Sequence, residues 1–339
     1  MIQLEILPYF NEDAATIVVT PHKGFSGSLS VLIQSIIENS HEKKKYDILV
    51  LHRELLEDVV NRIEKQVTNL DNIHIRFFDI DKYTKQFDFF SERVTPVNIV
   101  ATYYRLIIPE LLQNYDKAIY LDGDIIVLHD IWELWKQDID EYLLGAVEDY
   151  AGNWEINDPS SDLYNYRKDE LSLDKPARYF NAGVLMMNLK KIRERYSLKY
   201  ILEVAQKRKW RCKDQDILNY LAQKEVFYLD YEWNLIMSIN TKAETFMDKE
   251  VKEKFEIAHR KPYLVHFAGR FKPWNYFKVP FSDDFWKYAS ETGFMEELTN
   301  QIGKDRAYEM ILEQIKDGKV GVRQVTRLLI ESLKYRYIK

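Results

Sequence analysis

The chain has 339 residues, 46% apolar and 30% charged, which is enough to bury a full core and excludes a wholly disordered protein. Its 48 Lys and Arg against 54 Asp and Glu give a net charge of −6, a poor field for general nucleic-acid binding. One cysteine, Cys212, excludes an internal disulfide and a Cys-built metal site, and suits a reducing, cytoplasmic compartment.

The first residues, MIQLEILPYF, lack the basic start of a signal peptide, and no run of apolar residues is long enough for a membrane span. AATIVVT (14–20) predicts a buried strand, PHKGFSGS a Gly/Ser loop, and LSVLIQSIIENS an amphipathic helix. DILVLHREL predicts a second strand, LLEDVVNRIEKQVTNL a helix, and the alternating IHIRFFDI a third strand. TPVNIVATYYRLIIPELL predicts a helix, and KAIYLDGDIIVL (117–128) a fourth strand. This strand–helix alternation predicts an α/β fold with a mostly parallel sheet flanked by helices, with ligands at the edge where the strands end. LLGAVEDY then leads into a polar, aromatic stretch, 151–179, read as a long loop with short helical pieces. With Trp154, Tyr164 and Tyr166 it is a candidate lid or acceptor wall. YFNAGVLMMNL predicts a strand, followed by a helix to about Lys209 and a helix opening at KDQDILNYLA. KEVFYLD predicts a strand, then irregular chain, and KPYLVHFAG a last strand.

From about Ser282 the sequence reads as helical, so 1–281 is expected to form a catalytic domain and 282–339 a helical extension. Residues 316–339 carry seven basic side chains against Asp317 and Glu331, with scattered Leu, Ile and Tyr. That composition suits peripheral contact with an anionic membrane face; the plainer alternative is a helix pair packed on the domain.

The sharpest chemical feature is IYLDGDIIV. In extended chain Asp122 and Asp124 point to the same side, and Gly123 between them lets a ligand approach the backbone. Two carboxylates flanked by apolar residues repel each other, and a divalent cation would remove that conflict. Oxygen ligands favour Mg2+ or Mn2+. In YLVHFAGRFKPW, His266 could be a third ligand, tilting the choice to Mn2+. Lys272 offers a point charge for phosphate, and Gly269 lets backbone N–H groups face an anion. The plainer readings are a strand-end turn for the aspartates and a core histidine for His266. Asp214, Gln215 and Asp216 open a helix, where capping alone would explain them. Asn181, Ala182 and Gly183 form a small-residue kink, either a bulge or a place where substrate touches the backbone.

YLDGDIIV, YFNAGVLMMNLKKIR, KDQDILNYL and VHFAGRFKPW, in this order, resemble the signatures of glycosyltransferase family 8. These are retaining GT-A enzymes that include bacterial lipopolysaccharide galactosyl- and glucosyltransferases and glycogenin. ATYYRLIIPELL resembles the helix before the D-x-D strand in that family, and the likeness spans roughly Thr16 to Trp274. The resemblance implies a GT-A fold, a UDP-sugar donor, Mn2+ (Mg2+ as the alternative), and a saccharide or glycolipid acceptor in cell-surface polysaccharide or lipopolysaccharide synthesis. Carried over by position, Asp122, Asp124 and His266 match the metal ligands, and Gly269 and Lys272 residues that hold the diphosphate. Arg105, Asn181, Asp214 and Gln215 match residues lining the donor sugar, with Ala182 beside them. Gln215 falls near the reacting anomeric carbon, and Asp149 matches a carboxylate near sugar and acceptor. One departure lies in the first loop, TPHKGFSGS: His22 stands where an acidic residue commonly contacts uracil, while Phe25 keeps the place of an aromatic that stacks on the base.

The sequence admits two rival readings. Haloacid dehalogenase-type phosphatases also use a D-x-D pair, but it normally follows the first strand and runs into Gly-Thr. A non-catalytic nucleotide-sugar binder is the other, and the complete set of metal and phosphate residues argues against it.

Overall fold

The computed structural model describes residues 5–22, 24–87, 89, 100–150, 152–153, 158–171, 173, 178–237, 249–269, 271–276 and 279–302. The first three strands fall where the apolar runs predict them: β1 (Ala14–Val19), β2 (Lys45–His52) and β3 (Ile73–Asp79). Two helices connect them, α1 (Ser26–Asn39) and α2 (Glu57–Val67). β1 pairs in parallel with β2, and β2 with β3, as strand–helix–strand crossovers require.

The predicted fourth strand is two strands. β4 (Lys117–Leu121) pairs in parallel with β1, and β5 (Ile125–Val127) belongs to a different sheet. Asp122, Gly123 and Asp124 are the crossing between the two sheets. Period-2 alternation does not reveal such a break, because β4 and β5 are each buried on both faces.

The remaining strands are β6 (Leu144–Glu148), β7 (Phe180–Asn188), β8 (Val226–Leu229), β9 (Leu235–Ile236) and β10 (Leu264–His266). The main sheet has the order β3–β2–β1–β4–β7–β6–β8, and β5, β10 and β9 form the smaller one. β7 runs antiparallel to β4. Its first residues, Phe180–Gly183, therefore lie where β4 ends. The predicted mainly parallel α/β sheet is present, with β7 as the inserted antiparallel strand.

Side chains alternate across the sheet. Ile17, Val19, Ile48 and Val50 enter a core with α1 and α2, while Val18, Leu49 and Leu51 enter a second core on the other face. Further helices are α3 (Asp162–Glu170), α4 (Leu189–Arg195), α5 (Leu198–Gln206), α6 (Lys213–Ala222), α7 (Lys249–Arg260) and α8 (Ser282–Ser290). The single helix predicted to about Lys209 breaks in two. Ser197 is extended and its side chain caps α5 by accepting from the Tyr200 N–H. The helix predicted over 95–112 is a 3-10 helix over Val100–Ile107 followed by the α-helical turn Ile108–Leu111, and 95–99 lies outside the described residues. α7 lies in chain read as irregular, although Val251, Phe255 and Ala258 carry a helical spacing.

α8 packs on α1: Phe285 and Tyr288 sit in the α1 core, and the Asn39 Nδ2 donates to the Tyr288 hydroxyl at 2.9 Å. The chain is helical again at 295–302, with Leu298 in the same core. The basic tail at 316–339 and Trp154 lie outside the described residues. Among the described residues no helix is long and apolar enough to cross a membrane.

Candidate active site

Strand register brings the distant residues together. Within the smaller sheet, β10 pairs antiparallel with β5 so that His266 faces Ile125, one residue after Asp124. Two backbone bonds pin the crossing: the Asp122 N–H donates to Gly183 O at 2.8 Å, and the Phe267 N–H donates to Asp124 O at 3.0 Å. His266 Nε2 then lies 3.3 Å from Asp124 Oδ1 and 3.7 Å from Asp122 Oδ2.

The other carboxylate oxygens are held from behind. Asp122 Oδ1 accepts from Arg105 Nη2 at 2.7 Å and from the Tyr120 hydroxyl at 2.8 Å. Asp124 Oδ2 accepts from Lys272 Nζ at 2.5 Å. One oxygen of each carboxylate and one imidazole nitrogen are thus left facing one another, and the ligand atoms of the three residues lie within 4.8 Å of each other. That donor set fits a divalent cation with mixed oxygen and nitrogen ligands. Burial alone would raise the Asp124 carboxyl. The adjacent His266 imidazole and Lys272 ammonium outweigh it and hold the group below the ordinary carboxylate range.

Arg105 lies beneath this cluster, 5% exposed. Its Nε contacts Asp214 Oδ2 at 2.9 Å and the Thr102 carbonyl at 3.1 Å, Nη1 donates to the Ala182 carbonyl, and its guanidinium stacks 4.4 Å from the Tyr120 ring centroid. It borders the cleft, yet every guanidinium nitrogen is engaged inside the protein. Burial pushes the Asp214 carboxyl up to about 7, against the pull of Arg105. Arg105 thus balances two carboxylates, Asp214 buried and Asp122 partly exposed. Arg105→Leu is expected to lower unfolding stability by about 3–5 kcal/mol, because both acids lose their counter-charge. Urea denaturation of metal-free protein measures this, and a loss under about 1 kcal/mol would contradict the assigned role.

At the other end of the cleft, Gln215 on α6 reaches across to β7. Its Oε1 accepts from Asn181 Nδ2 and from the Ala182 N–H, both at 3.1 Å. Its Nε2 donates to Asp149 Oδ2 at 3.1 Å. Asp149 follows β6, and its Oδ1 accepts from the Gly152 N–H at 2.9 Å. Asp216 faces away from the cleft. Fully buried, it accepts from the Tyr179 hydroxyl at 2.7 Å, the Tyr166 hydroxyl at 2.8 Å and the Cys212 N–H at 2.7 Å. It ties α3, and so part of the predicted loop 151–179, to the start of α6.

A cleft of about 260 Å3 joins these parts, bordered among others by His22, Phe25, Gly123, Asn181 and Gln215. Gly123 has only the Pro21 Cα, at 3.9 Å, near the place of a Cβ, so its face is open to a ligand. Gly269 adopts φ +80°, which favours glycine, and a Cβ there would meet nothing within 4 Å. The Lys272 ammonium lies 5.9 Å from the Phe25 ring centroid, and Phe25 meets Trp274 edge-on at 5.8 Å. Burial, with Lys213 adding to it, lowers the His22 imidazole below its ordinary value and favours a neutral ring with one donor and one acceptor. A larger cavity, about 980 Å3, lies elsewhere, bordered by Asp13, Lys117, Asp140 and Lys190 near the opposite ends of β1 and β4. The Asp122, Asp124 and His266 cluster has no part in it.

All the predicted site residues are described, and all but Gly269 are joined by the cleft lining, ion pairs and hydrogen bonds above. Sequence reasoning missed Tyr120, which looks like an ordinary strand aromatic, and Asn234, which follows a tryptophan in chain read as irregular. A polar residue among Trp233, Leu235 and Ile236 was the available signal for Asn234.

The model of a known family, glycosyl transferase family 8, matches residues 16–278. The general stress protein A of Bacillus subtilis is 27% identical over 283 residues, covering 81% of this chain and 93% of its own. The lipopolysaccharide 1,2-glucosyltransferase of Escherichia coli is 26% identical over 194 residues, 56% of this chain and 54% of its own. The apo structure of the bifunctional glycosyltransferase WbbM superposes with a TM-score of 0.80 at 27% identity, covering 87% of this chain and 53% of that one. The match over most of the chain settles the family: the chain belongs to glycosyltransferase family 8, with the GT-A fold.

Proposed function

We propose, taking membership of glycosyltransferase family 8 as the premise, that the chain is a retaining, metal-dependent hexosyltransferase acting in the cytoplasm. It would move glucose or galactose from a UDP-sugar to a saccharide or glycolipid acceptor in cell-surface polysaccharide or lipopolysaccharide synthesis. The observation that carries this reading is the convergence of Asp122, Asp124 and His266 beside Lys272 and an open Gly123. Family membership leaves the phosphatase alternative without support.

Asp122, Asp124 and His266 would hold the cation, Mn2+ by preference because of the imidazole. When bound, it supplies positive charge for the diphosphate that leaves. Lys272, held by Asp124 and by the Phe267 carbonyl at 2.6 Å, adds charge at the same end. Phe25 offers its ring face to the base, and Gly269 leaves backbone N–H groups accessible to the diphosphate.

The transfer breaks the bond from the anomeric carbon to the diphosphate oxygen and forms one to the acceptor hydroxyl oxygen. The hydroxyl proton passes to the departing diphosphate. Gln215 is a poor covalent nucleophile here for two reasons. It is an amide, and its carbonyl oxygen already accepts two hydrogen bonds. That arrangement supports reaction on one face, without a glycosyl-enzyme adduct on Gln215. Gln215 and Asp149 then line the sugar and acceptor end.

A thermal-shift panel tests the reading. UDP-glucose or UDP-galactose with Mn2+ should raise the melting temperature by several degrees, and GDP-mannose should not. A shift by ligand requires preferential binding to the folded state, so no response to any UDP-sugar with Mn2+ would overturn the donor assignment. UDP-sugar binding without hydrolysis or transfer to any acceptor would favour a non-catalytic binder.

A further inference from the structure

We infer that Asn234 is the positioning residue that joins the cation end of the cleft to the sugar end. It is 1% exposed and lies at the end of the 3-10 turn Tyr231–Asn234, just before β9. It touches His266 on one side and Asn181 on the other. His266 Nδ1 is 3.1 Å from Asn234 Oδ1, and Asn234 Nδ2 donates to Asn181 Oδ1 at 2.9 Å.

The orientations of the three side-chain amides, Asn181, Asn234 and Gln215, follow from two backbone N–H groups, which can only donate. The Gly183 N–H points at Asn181 at 2.9 Å, so the atom it meets is the oxygen, Oδ1. The Asn234 atom facing that same oxygen must then be a donor, Nδ2. Its carbonyl is left facing His266, so the proton of the imidazole sits on Nδ1. With a cation held between Asp122 and Asp124, Nε2 is then the nitrogen that would offer it a lone pair. The second anchor is the Ala182 N–H, which fixes Gln215 Oε1 toward β7 and Gln215 Nε2 toward Asp149. Asn181 bridges the two anchors, donating from Nδ2 to Gln215 Oε1. His266, Asn234, Asn181, Gln215 and Asp149 thus form one ordered chain of hydrogen bonds.

Asn234 has two separable tasks. As an acceptor it sets the tautomer of His266. As a donor it holds Asn181, and through it the amide of Gln215. The inference rests on the reading that Asp122, Asp124 and His266 bind a divalent cation. Partners of this kind behind a ligating histidine typically govern metal affinity by 10- to 100-fold.

The test titrates Mn2+ alone into the wild type, Asn234→Ala and Asn234→Asp, without sugar. Asn234→Ala should bind Mn2+ about 10-fold or more weakly. Asn234→Asp keeps an acceptor for His266 and should stay within about three-fold of wild type. It removes the donor to Asn181, so its kcat for UDP-sugar hydrolysis should fall on the order of 10-fold. Asn234→Ala binding as tightly as wild type, or Asn234→Asp binding as poorly as Asn234→Ala, would overturn the role. A measurement without variants stands beside these: in 15N-histidine-labelled, Mg2+-loaded wild type, His266 Nδ1 should carry the proton. An unprotonated Nδ1 overturns the inference even if no variant folds. A wild type that binds neither ion overturns the metal reading, and this role with it.

Discussion

Asp124→Ala is expected to abolish metal-dependent hydrolysis of a UDP-sugar, with a loss on the order of 10^3-fold in kcat/KM. Asp124 contacts both His266 and Lys272. Its Oδ1 lies 3.3 Å from His266 Nε2, and its Oδ2 anchors the Lys272 ammonium at 2.5 Å. Truncation removes one of three converging side chains and one of the two contacts that hold the Lys272 ammonium. The backbone bond from the Phe267 N–H to Asp124 O needs no side chain, so the sheet crossing persists. Circular dichroism should therefore be unchanged while turnover disappears. Full activity in this variant would remove the metal from the mechanism.

Gly183→Ala should have a comparable effect through crowding alone. Gly183 lies in β7 beneath the imidazole. A Cβ there would come within 2.2 Å of His266 Cε1, 2.7 Å of Nδ1 and 3.0 Å of Asn181 Oδ1. The ring is 3% exposed and fixed by the pairing of β10 with β5, so it has no room to yield. One methyl group would displace His266 from the carboxylates and break its contact with Asn234. Mn2+ affinity and UDP-sugar hydrolysis should each fall by about 10^2-fold or more, with stability lower by about 1–3 kcal/mol. Titration calorimetry checks the first quantity. Wild-type affinity in Gly183→Ala would show that the imidazole is not a ligand.

Much of this architecture can be read from local sequence. β1, β2, β3 and β7 are apolar runs bounded by polar turns, and α2 carries Val59, Ile63 and Val67 on one face. The separated motifs around Asp122, Asn181, Gln215 and His266 are legible because each breaks an apolar stretch with residues that folding alone does not demand. What stays hidden depends on long-range pairing. Nothing in IYLDGDIIV says that the chain changes sheets at Gly123, since the flanking strands are equally buried. Asn234 is silent for the same reason: its importance arises from β9 pairing with β10, so that it meets His266, 32 positions further along the chain. Arg105 shows the converse. The resemblance implies a place for it near the donor sugar, but its commitment to Asp122, Asp214 and Ala182 appears only in three dimensions.

The most direct test of the central claim is an anomalous difference map of crystals grown with Mn2+ and UDP. One peak is predicted within about 2.5 Å of a carboxylate oxygen of Asp122, one of Asp124, and Nε2 of His266, with the diphosphate completing the shell next to Lys272. A manganese peak away from these three side chains, or His266 turned from the carboxylates in the nucleotide-bound crystal, would contradict the account.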